Sequence, residues 1–308
     1  MTVTETHGIR ERREAIVDAH IDAENRRDVE ATIATFHHPR YEVNGEVSDG
    51  AGAVRDLVGE LLGVASDFHA ETLALYHTAG AVIGEAQISG THDGQFMGIP
   101  ATGRRFSHPC ACIFDFDEDR LLCEKVYFDL GTFLGQIGVL PGSDQAPESD
   151  ASGEATPPVV DGGPISDAAM ATVDAGLDAH NRRDAAAFAA LWTDDGVLRV
   201  VAGNEVHEGR DRIEAAVAAR YRAFPDWTIE RRRIYECGES AWLELLISGT
   251  HEGELQGIPA THRRVELPAC SKFRFAPDGR AVEEDVYFDS ASLLTQLGLL
   301  PAPGEEAA

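Results

Sequence analysis

The chain has 308 residues, with 26 Lys and Arg against 53 Asp and Glu, and its formal net charge is −27. A surface this acidic repels polyanions, so the composition excludes a general nucleic-acid-binding protein and disfavours docking on anionic membranes. Hydrophobic residues make up 43% of the sequence, but no apolar run approaches the roughly 20 residues that a membrane-spanning helix needs. We therefore expect a soluble, globular protein.

The N-terminal region and the cysteines indicate where the protein works. The first twenty residues are charged and lack the apolar segment of a secretory signal, so we expect a cytoplasmic protein. The five cysteines are an odd number and include no CxxC pair. This pattern predicts reduced, mostly buried thiols rather than disulfides or a zinc site.

Each half of the chain begins with predicted helices. The first half combines an N-terminal helix with apolar positions at Ile16, Ala19 and Ala23, a short helix, one short strand and a helix at 51–62. The second half repeats this order, with a Ser166 cap before its first helix and a later helix at 211–221. Each half therefore starts with a helical hairpin.

Strand-like segments with β-branched and aromatic residues follow the helices in both halves. We predict four long strands in each half, at 71–78, 81–91, 106–116 and 121–128, and at 228–235, 241–250, 265–275 and 282–288. A final helical turn closes each half, at 131–137 and 291–297. Helices packed on one curved mixed sheet make an α+β domain.

The chain is a tandem repeat. The segment GTHDGQFMGIPATGRR at 90–105 is identical to GTHEGELQGIPATHRR at 249–264 in 11 of 16 positions, and the flanking motifs NRRD and VYFD also recur. A segment rich in Pro, Gly, Ser and acidic residues separates the copies and has the composition of a flexible linker. We predict domains at 1–140 and 165–308, joined by a linker at 141–164.

The NRRD helix, the GTHxGxxxGIPAT-x-RR block, the VYFD strand and the QLG-LLP ending together resemble the SnoaL-like polyketide cyclases, also called ester cyclases. These proteins belong to the nuclear-transport-factor-two-like superfamily. The resemblance implies two cone-shaped domains, each with a deep and largely apolar pocket. It also implies ring closure by acid/base catalysis with an aspartate, without a cofactor or a metal, although other members isomerise ketosteroids or open epoxides.

The resemblance assigns the acid/base role to Asp129 and Asp289, which end the VYFD strands. A carboxylate in an apolar pocket has a raised pKa, so it can take a proton from the carbon next to a carbonyl and return it later. Each aspartate also directly precedes a predicted helix, so an N-cap role is an equal alternative.

Four residue types complete the predicted site. His92 and His251 of the GTHxG blocks are second-rank catalytic candidates that could stabilise an enolate, with an architectural role as the alternative. Period two places Tyr127 and Tyr287 on the face of the aspartates as substrate-binding candidates. Two residues further upstream, on the same predicted face, Lys125 and Asp285 are also substrate-binding candidates. One pocket could then hold a Lys/Asp pair and the other a pair of carboxylates, with a position that faces solvent at the rim as the alternative.

No metal site is predicted, because the histidines of the first copy (His37, His38, His69, His77 and His108) have no counterparts in the second. The leading function is a cyclase or isomerase that acts on a hydrophobic carbonyl compound, polyketide-like or ester-like. A non-enzymatic small-molecule-binding or scaffold protein with one or both pockets inactive is the alternative, and an epoxide hydrolase ranks lower. We expect the two domains to pack as an intramolecular pseudo-dimer.

Overall fold

The computed structural model describes residues 3–140, 158–160 and 162–301, with side chains from Gly8 onward. The chain divides into two compact units, Met1–Gly162 and Gly163–Ala308, which we call domain 1 and domain 2. Both have the predicted α+β architecture, with helices on one face of a mixed sheet. The packing of the two domains against each other stays a prediction.

Domain 1 contains four helices and seven strands in the described chain. The helices are α1 (Val3–Asn25), α2 (Val29–Ala34), α3 (Ala51–Gly63) and α4 (Leu130–Gln136). The strands are β1 (Arg40–Val43), β2 (Glu46–Asp49), β3 (His69–His77), β4 (Ala81–Thr91), β5 (Arg105–Asp117), β6 (Arg120–Phe128) and β7 (Val159–Val160). They form one sheet in the order β2-β1-β6-β5-β4-β3-β7, in which β1–β6 and β3–β7 are the parallel pairs.

Domain 2 repeats this architecture. The helices are α5 (Asp167–Arg182), α6 (Ala185–Ala190), α7 (Arg210–Ala223) and α8 (Ser290–Gln296). The strands are β8 (Trp192–Val200), β9 (Glu205–Glu208), β10 (Thr228–Cys237), β11 (Ser240–Thr250), β12 (Arg264–Phe275) and β13 (Ala281–Phe288). Their order is β10-β11-β12-β13-β8-β9, and β8 pairs in parallel with β13 as β1 does with β6 in domain 1.

The four long strands of each domain are confirmed, but the sheets are larger than predicted. The predicted single short strand of domain 1 is a hairpin, β1 and β2, turned by Asn44 and Gly45 at positive φ. An Asn-Gly pair between two short strands is a strong hairpin signal, because both turn residues must adopt the left-handed conformation. Four-residue strands carry too little periodicity to be separated from loops by pattern alone.

The predicted linker at 141–164 lies largely outside the described residues. Near its end, however, Val159 and Val160 form β7, which pairs in parallel with Leu75 and Tyr76 of β3. This part of the segment is therefore an edge strand of domain 1 and not a tether.

The repeated motif NRRD has a structural explanation. The amide of Asn25 donates to the carbonyl of Ala70 at 3.0 Å and accepts from its backbone N–H at 2.7 Å, so it ties α1 to β3. Asn181 makes the same pair of bonds with Ile229 of β10. Asp28 then caps α2 through the N–H of Ala31. The motif therefore fixes where the first helix meets the sheet and where the second begins.

The helices of domain 1 cover one face of its sheet. Val17 of α1 and Val58 of α3 pack against a cluster of buried residues that includes Val82 and Phe114 of the sheet. This packing leaves space between α1, α3 and the central strands. Among the helices of the described chain, none is long and apolar enough to cross a membrane.

Candidate active site

Domain 1 contains a cavity of about 940 Å³, counting the space that opens to solvent at its mouth. Its walls are mostly aliphatic and aromatic side chains of α1, α3 and β3 to β6. The polar side chains among the lining residues are Glu24, Tyr41, Thr72, His108, Cys110, Cys112 and Glu124. A large apolar cavity with a few convergent polar groups is the usual form of a small-molecule site.

The alternation of strand β6 decides which side chains reach this cavity. Glu124, Val126 and Phe128 line it, whereas Lys125 and Tyr127 lie at the intervening positions. Because successive side chains of a strand point to opposite faces, these two residues face away from the cavity. The substrate-binding role of Lys125 and Tyr127 stays a prediction, and the geometry does not support it.

A cluster of ionisable groups lies at one end of the cavity. His20 and Glu24, one helical turn apart on α1, meet Glu124 of β6: His20 Nε2 is 2.8 Å from Glu124 Oε2 and 3.4 Å from Glu24 Oε1. His20 is fully buried between the rings of Phe36 and Phe114. Because these two rings contact the imidazole of His20, they fix its orientation.

Hydrogen bonds determine the tautomer of His20. The Thr35 hydroxyl donates to the carbonyl of Thr32 at 2.7 Å, so it accepts at 2.6 Å from His20 Nδ1, which must carry a hydrogen. Nε2 therefore faces the two carboxylates, as a lone pair in the neutral ring or as an N–H in the cation.

The charges of the cluster are strongly coupled. Burial opposes protonation of His20, but the carboxylates of Glu124 and Glu24 outweigh it and raise the pKa of His20 to about 10. Burial raises the pKa of Glu124 to about 7; the charge of Glu24 adds to this shift, and His20 and the Tyr41 hydroxyl oppose it. Near neutral pH, Glu124 can therefore both accept and release a proton beside a histidinium.

The side chains of these three residues could also hold a metal ion by distance. One potential ligand atom of each lies within 4.8 Å of the other two, and in the described part of the chain this is the only such group of three. The ion pair between His20 and Glu124 already compensates one carboxylate with a positive charge. The histidines His38 and His77 are engaged elsewhere, by Asp49 at 3.6 Å and by Glu14 at 2.8 Å.

His108 marks another part of the cavity. Its ring stacks on Phe128 with centroids 5.2 Å apart and on Phe106 at 6.1 Å, and Phe133 meets it edge-on. Burial lowers the pKa of His108 to about 4, so the ring is neutral at physiological pH. His108 lies beside Phe128, which is four residues after Glu124 on β6, or roughly 13 Å along the strand. The polar groups of the cavity therefore lie in two separate places.

Domain 2 has a smaller cavity of about 420 Å³, also counting space open to solvent. Its lining residues include Glu284, the counterpart of Glu124, and His180, which stands where domain 1 has Glu24. Gly176 occupies the position of His20. The His–Glu–Glu cluster is therefore specific to domain 1.

Asp129 and Asp289 are placed as helix caps. Asp129 accepts hydrogen bonds from the backbone N–H groups of Gly131 and Thr132 and from the Thr132 hydroxyl at 2.6 Å, so both carboxylate oxygens are used. Asp289 caps α8 through Ala291 and Ser292. Neither is among the residues that line the two cavities. Their catalytic role stays a prediction, and the geometry favours the alternative N-cap role.

His92 and His251 hold the loop of the GIPAT motif. His92 Nδ1 accepts from the backbone N–H of Thr102 at 3.3 Å and contacts the Thr102 hydroxyl at 3.0 Å. His251 makes the same contacts with Thr261. Both rings are fully buried, burial lowers their pKa values, and they do not line either cavity. Their geometry fits the architectural role, and their catalytic role stays a prediction.

The difference between Lys125 and Asp285 is an exchanged ion pair. Lys125 on β6 pairs with Asp115 on β5 at 3.2 Å. In domain 2 the lysine lies on the other strand, and Lys272 on β12 pairs with Asp285 at 3.0 Å. Asp285 is also 3.1 Å from Arg199, so cations hold its carboxylate, and its substrate-binding role stays a prediction.

Tyr127 and Tyr287 are buried on the face of their strands that carries these ion pairs. Neither lines a cavity. Their expected contact with a substrate in the pocket is therefore not supported, since the alternation of β6 and β13 turns them away from it.

Thr35 offers a test of the His20 orientation. Replacing Thr35 by Val leaves the buried Nδ1–H without an acceptor, and an unsatisfied buried donor costs roughly 1–3 kcal/mol. We expect urea unfolding to show this loss for Thr35→Val, whereas Thr35→Ser, which keeps the hydroxyl, stays near the wild-type stability. Equal stability of both variants would contradict the assigned tautomer.

Two segments of the chain, residues 14–137 and 171–297, match the family model of the SnoaL-like polyketide cyclases. The chain therefore belongs to this family, with one copy of the family domain in each half. This confirms the resemblance and the tandem arrangement that the repeated motifs predict.

Three solved structures that match the chain each cover less than half of it. A candidate SnoaL-like polyketide cyclase from Jannaschia sp. CCS1 is 20% identical, with 46% of this chain and 99% of that chain covered and a TM-score of 0.40. IdmH, a candidate polyketide cyclase from Streptomyces antibioticus, is 25% identical, with coverages of 42% and 98% and a TM-score of 0.37. AclR, a candidate hydroxylase from Streptomyces galilaeus, is 26% identical, with coverages of 44% and 83% and a TM-score of 0.39. No curated protein matches the chain.

Proposed function

We propose that domain 1 is a cofactor-independent cyclase or isomerase that acts on a hydrophobic carbonyl compound, with Glu124 as the acid/base residue. The observation that carries this proposal is the buried cluster of His20, Glu24 and Glu124, two of which line the apolar cavity of domain 1. Membership of the SnoaL-like polyketide cyclase family supports the same class of reaction.

The proposed reaction begins with proton abstraction. The Glu124 carboxylate takes a proton from the carbon next to the substrate carbonyl, and the electrons of the broken C–H bond form an enolate. The Tyr41 hydroxyl donates its one hydrogen to the Glu124 carboxylate, so it can turn to the enolate oxygen once Glu124 has taken the proton. The histidinium of His20 stays beside the Glu124 carboxyl group. Its positive charge opposes the increase in the pKa of Glu124 that burial causes.

The second half of the reaction returns the proton. In a cyclisation, the enolate carbon attacks a second carbonyl of the same molecule, a C–C bond forms, and protonated Glu124 gives its proton to the new alkoxide. In an isomerisation, the proton returns to a different carbon. Neither route consumes a co-reactant, and Glu124 ends in its initial state.

The separation of the polar groups supports a substrate longer than a single ring. His108 stacks on Phe128, roughly 13 Å along β6 from Glu124, so a ring can lie against His108 while a reactive carbonyl lies at Glu124. Of the described residues that line this cavity, none is an arginine. The Asp–Arg–Asp set of an epoxide hydrolase is therefore less well supported.

A non-enzymatic binding protein is the second candidate, because an apolar cavity alone can serve as a binding site. The cluster argues against it, since two buried carboxylates cost stability and are retained mainly where they act. A binding protein would release its ligand unchanged, whereas the proposed enzyme converts it.

Native mass spectrometry of the purified chain, followed by denaturing extraction, tests the assignment to domain 1. Ala86→Trp fills the domain 1 cavity, and Leu245→Trp at the matching position fills the domain 2 cavity. We expect a co-purified polyketide-like or ester-like compound in the wild type and in Leu245→Trp, but not in Ala86→Trp. Retention by Ala86→Trp would overturn the assignment. Turnover of that compound should survive dialysis against EDTA, and its loss would contradict metal-independent chemistry.

A further inference from the structure

We infer that Cys110 and Cys112 form a dithiol site in the domain 1 cavity that binds trivalent organoarsenicals, uncharged compounds whose arsenic atom bonds one carbon and two sulfurs. The site is separate from the function proposed for domain 1, because it uses neither Glu124 nor His20. It rests on the position of the two thiols, on the distance between their sulfurs and on the walls of the cavity around them.

Strand β5 places both thiols on the wall of the cavity. Cys110 and Cys112 are two residues apart, so their side chains point to the same face of the strand. Both are among the residues that line the cavity. Cys110 is buried and Cys112 is partly exposed, so a small molecule in the cavity can reach the pair.

The two sulfurs are close enough to bond a single atom. Cys110 Sγ and Cys112 Sγ are 3.8 Å apart and share a hydrogen bond. Two sulfurs that each lie about 2.3 Å from one central atom, the length of a zinc–thiolate bond, are at most about 4.6 Å apart. The pair is within this reach without any movement of the backbone, so it is preorganised for a bridging atom.

The number of sulfurs selects the class of ligand. A zinc ion held by thiolates takes at least three protein ligands. In the described part of the chain, no third cysteine, histidine or carboxylate atom lies within 4.8 Å of both sulfurs. Arsenic in an organoarsenical needs only two sulfurs, because its third bond is to carbon. The pair therefore completes the coordination of arsenic but not that of zinc.

The surroundings of the pair also favour an uncharged, apolar ligand. In the sheet register Cys110 is opposite Phe128 and Cys112 is opposite Val126, and both partners line the cavity. The hydrogen bond with Cys110, burial and the charge of Glu124 raise the pKa of Cys112 well above its ordinary value. Cys112 is therefore a thiol at neutral pH, which disfavours metal cations that bind thiolates.

The proposed step is a condensation in which arsenic stays trivalent. Phenylarsine oxide takes up water to give phenylarsonous acid, which carries two hydroxyl groups on arsenic. At each sulfur an S–H bond and an As–O bond break, an As–S bond forms, and the hydrogen leaves with the hydroxyl group as water. One molecule of the acid and two thiols give one bridged arsenic and two waters, so the step needs no oxidant or reductant.

Domain 2 provides the matched control residues. Ala269 and Ser271 occupy the positions of Cys110 and Cys112 and are fully buried in the same fold. Cys110→Ala together with Cys112→Ser therefore gives domain 1 the residues that domain 2 already accommodates. Cys123→Ser changes a buried thiol that does not line the cavity, so it controls for reaction at other cysteines.

Titration of the reduced full chain with phenylarsine oxide tests the site, with native mass spectrometry as the readout. We expect one phenylarsenic group per chain in the wild type and in Cys123→Ser, removed by a small dithiol but not by glutathione. Each single variant, Cys110→Ala or Cys112→Ser, should bind roughly 100-fold more weakly or less, because the second As–S bond is no longer intramolecular. The double variant should form no adduct.

Arsenic X-ray absorption of the wild-type adduct gives a readout that does not depend on the folding of any variant. We expect two sulfur neighbours for each arsenic. A single sulfur neighbour would overturn the proposal, as would the absence of an adduct in the folded wild type or wild-type affinity in the double variant. Because binding is measured without a substrate, these outcomes are independent of the reaction proposed for domain 1.

Discussion

Replacing Glu124 by Gln is expected to lower turnover of the domain 1 substrate by roughly 10²- to 10⁴-fold, the usual contribution of a positioned acid/base group. The amide has the shape of the carboxyl group but cannot accept a proton. It keeps the cavity intact, so substrate binding should change little. Steady-state kinetics on the compound identified by extraction measure kcat and KM separately, and the loss should appear in kcat.

Asp129→Asn is the matched control for this variant. Asparagine is as good an N-cap as aspartate, so α4 should remain capped and the variant should melt close to the wild type. We expect its turnover to stay within a few-fold of the wild-type value. The opposite result, with Asp129→Asn inactive and Glu124→Gln active, would show that Asp129 has the acid/base role that the family resemblance implies.

A second large effect is expected on stability, from Glu284. Its pKa is raised from 4.5 to about 7 by burial, so the folded domain favours the protonated form. The stabilisation is fully present below the unfolded pKa and is lost as the pH rises through about 7. The loss amounts to about 3 kcal/mol, from 1.36 kcal/mol for each pKa unit.

Glu284→Gln should abolish this part of the pH dependence. Urea unfolding at pH 5 and pH 8 should show wild-type domain 2 losing stability between the two values, while the variant loses much less. Glu208→Gln, which changes an exposed residue of β9, is the control and should behave like the wild type. A variant that loses as much stability as the wild type would show that Glu284 is not the buried carboxylate responsible.

Much of the fold follows from the sequence because its signals are local and repeated. The strand β4 begins and ends at the predicted residues, and helix α3 extends only one residue past its predicted end. Strands with many β-branched residues and turns between them are visible in any single copy. The short strands β1, β2 and β7 depend on pairing with distant segments, which a local pattern does not contain.

The site was harder to predict, because its position depends on the phase of two periodic elements. Ala19 was expected on the buried face of α1, but it is exposed, and His20 and Glu24 are buried instead. Alanine fits both faces of a helix and so defines neither. On β6, a phase error of one residue exchanged Glu124 for Lys125 and Tyr127.

A signal for the cluster was nevertheless present in the sequence. His20 and Glu24 lie at positions i and i+4, next to the apolar residues Val17 and Ile21, and Glu124 alternates with Val126 and Phe128. Charged residues on an otherwise apolar face are costly to bury, so they mark a functional site more often than a structural one. The aspartates at the strand ends match a family motif and also lie where a helix N-cap is expected. The sequence alone therefore could not distinguish a catalytic role from a capping role.

The central claim is that Glu124 is poised to exchange a proton near neutral pH, and its titration tests this claim without knowledge of the substrate. Carbon-13 NMR of the glutamate carboxyl carbons, compared between the wild type, Glu124→Gln and Glu284→Gln, assigns the two buried signals. We expect the signal that disappears in Glu124→Gln to titrate with an apparent pKa of about 7. Titration of that signal near the ordinary glutamate value of 4.5 would contradict the account.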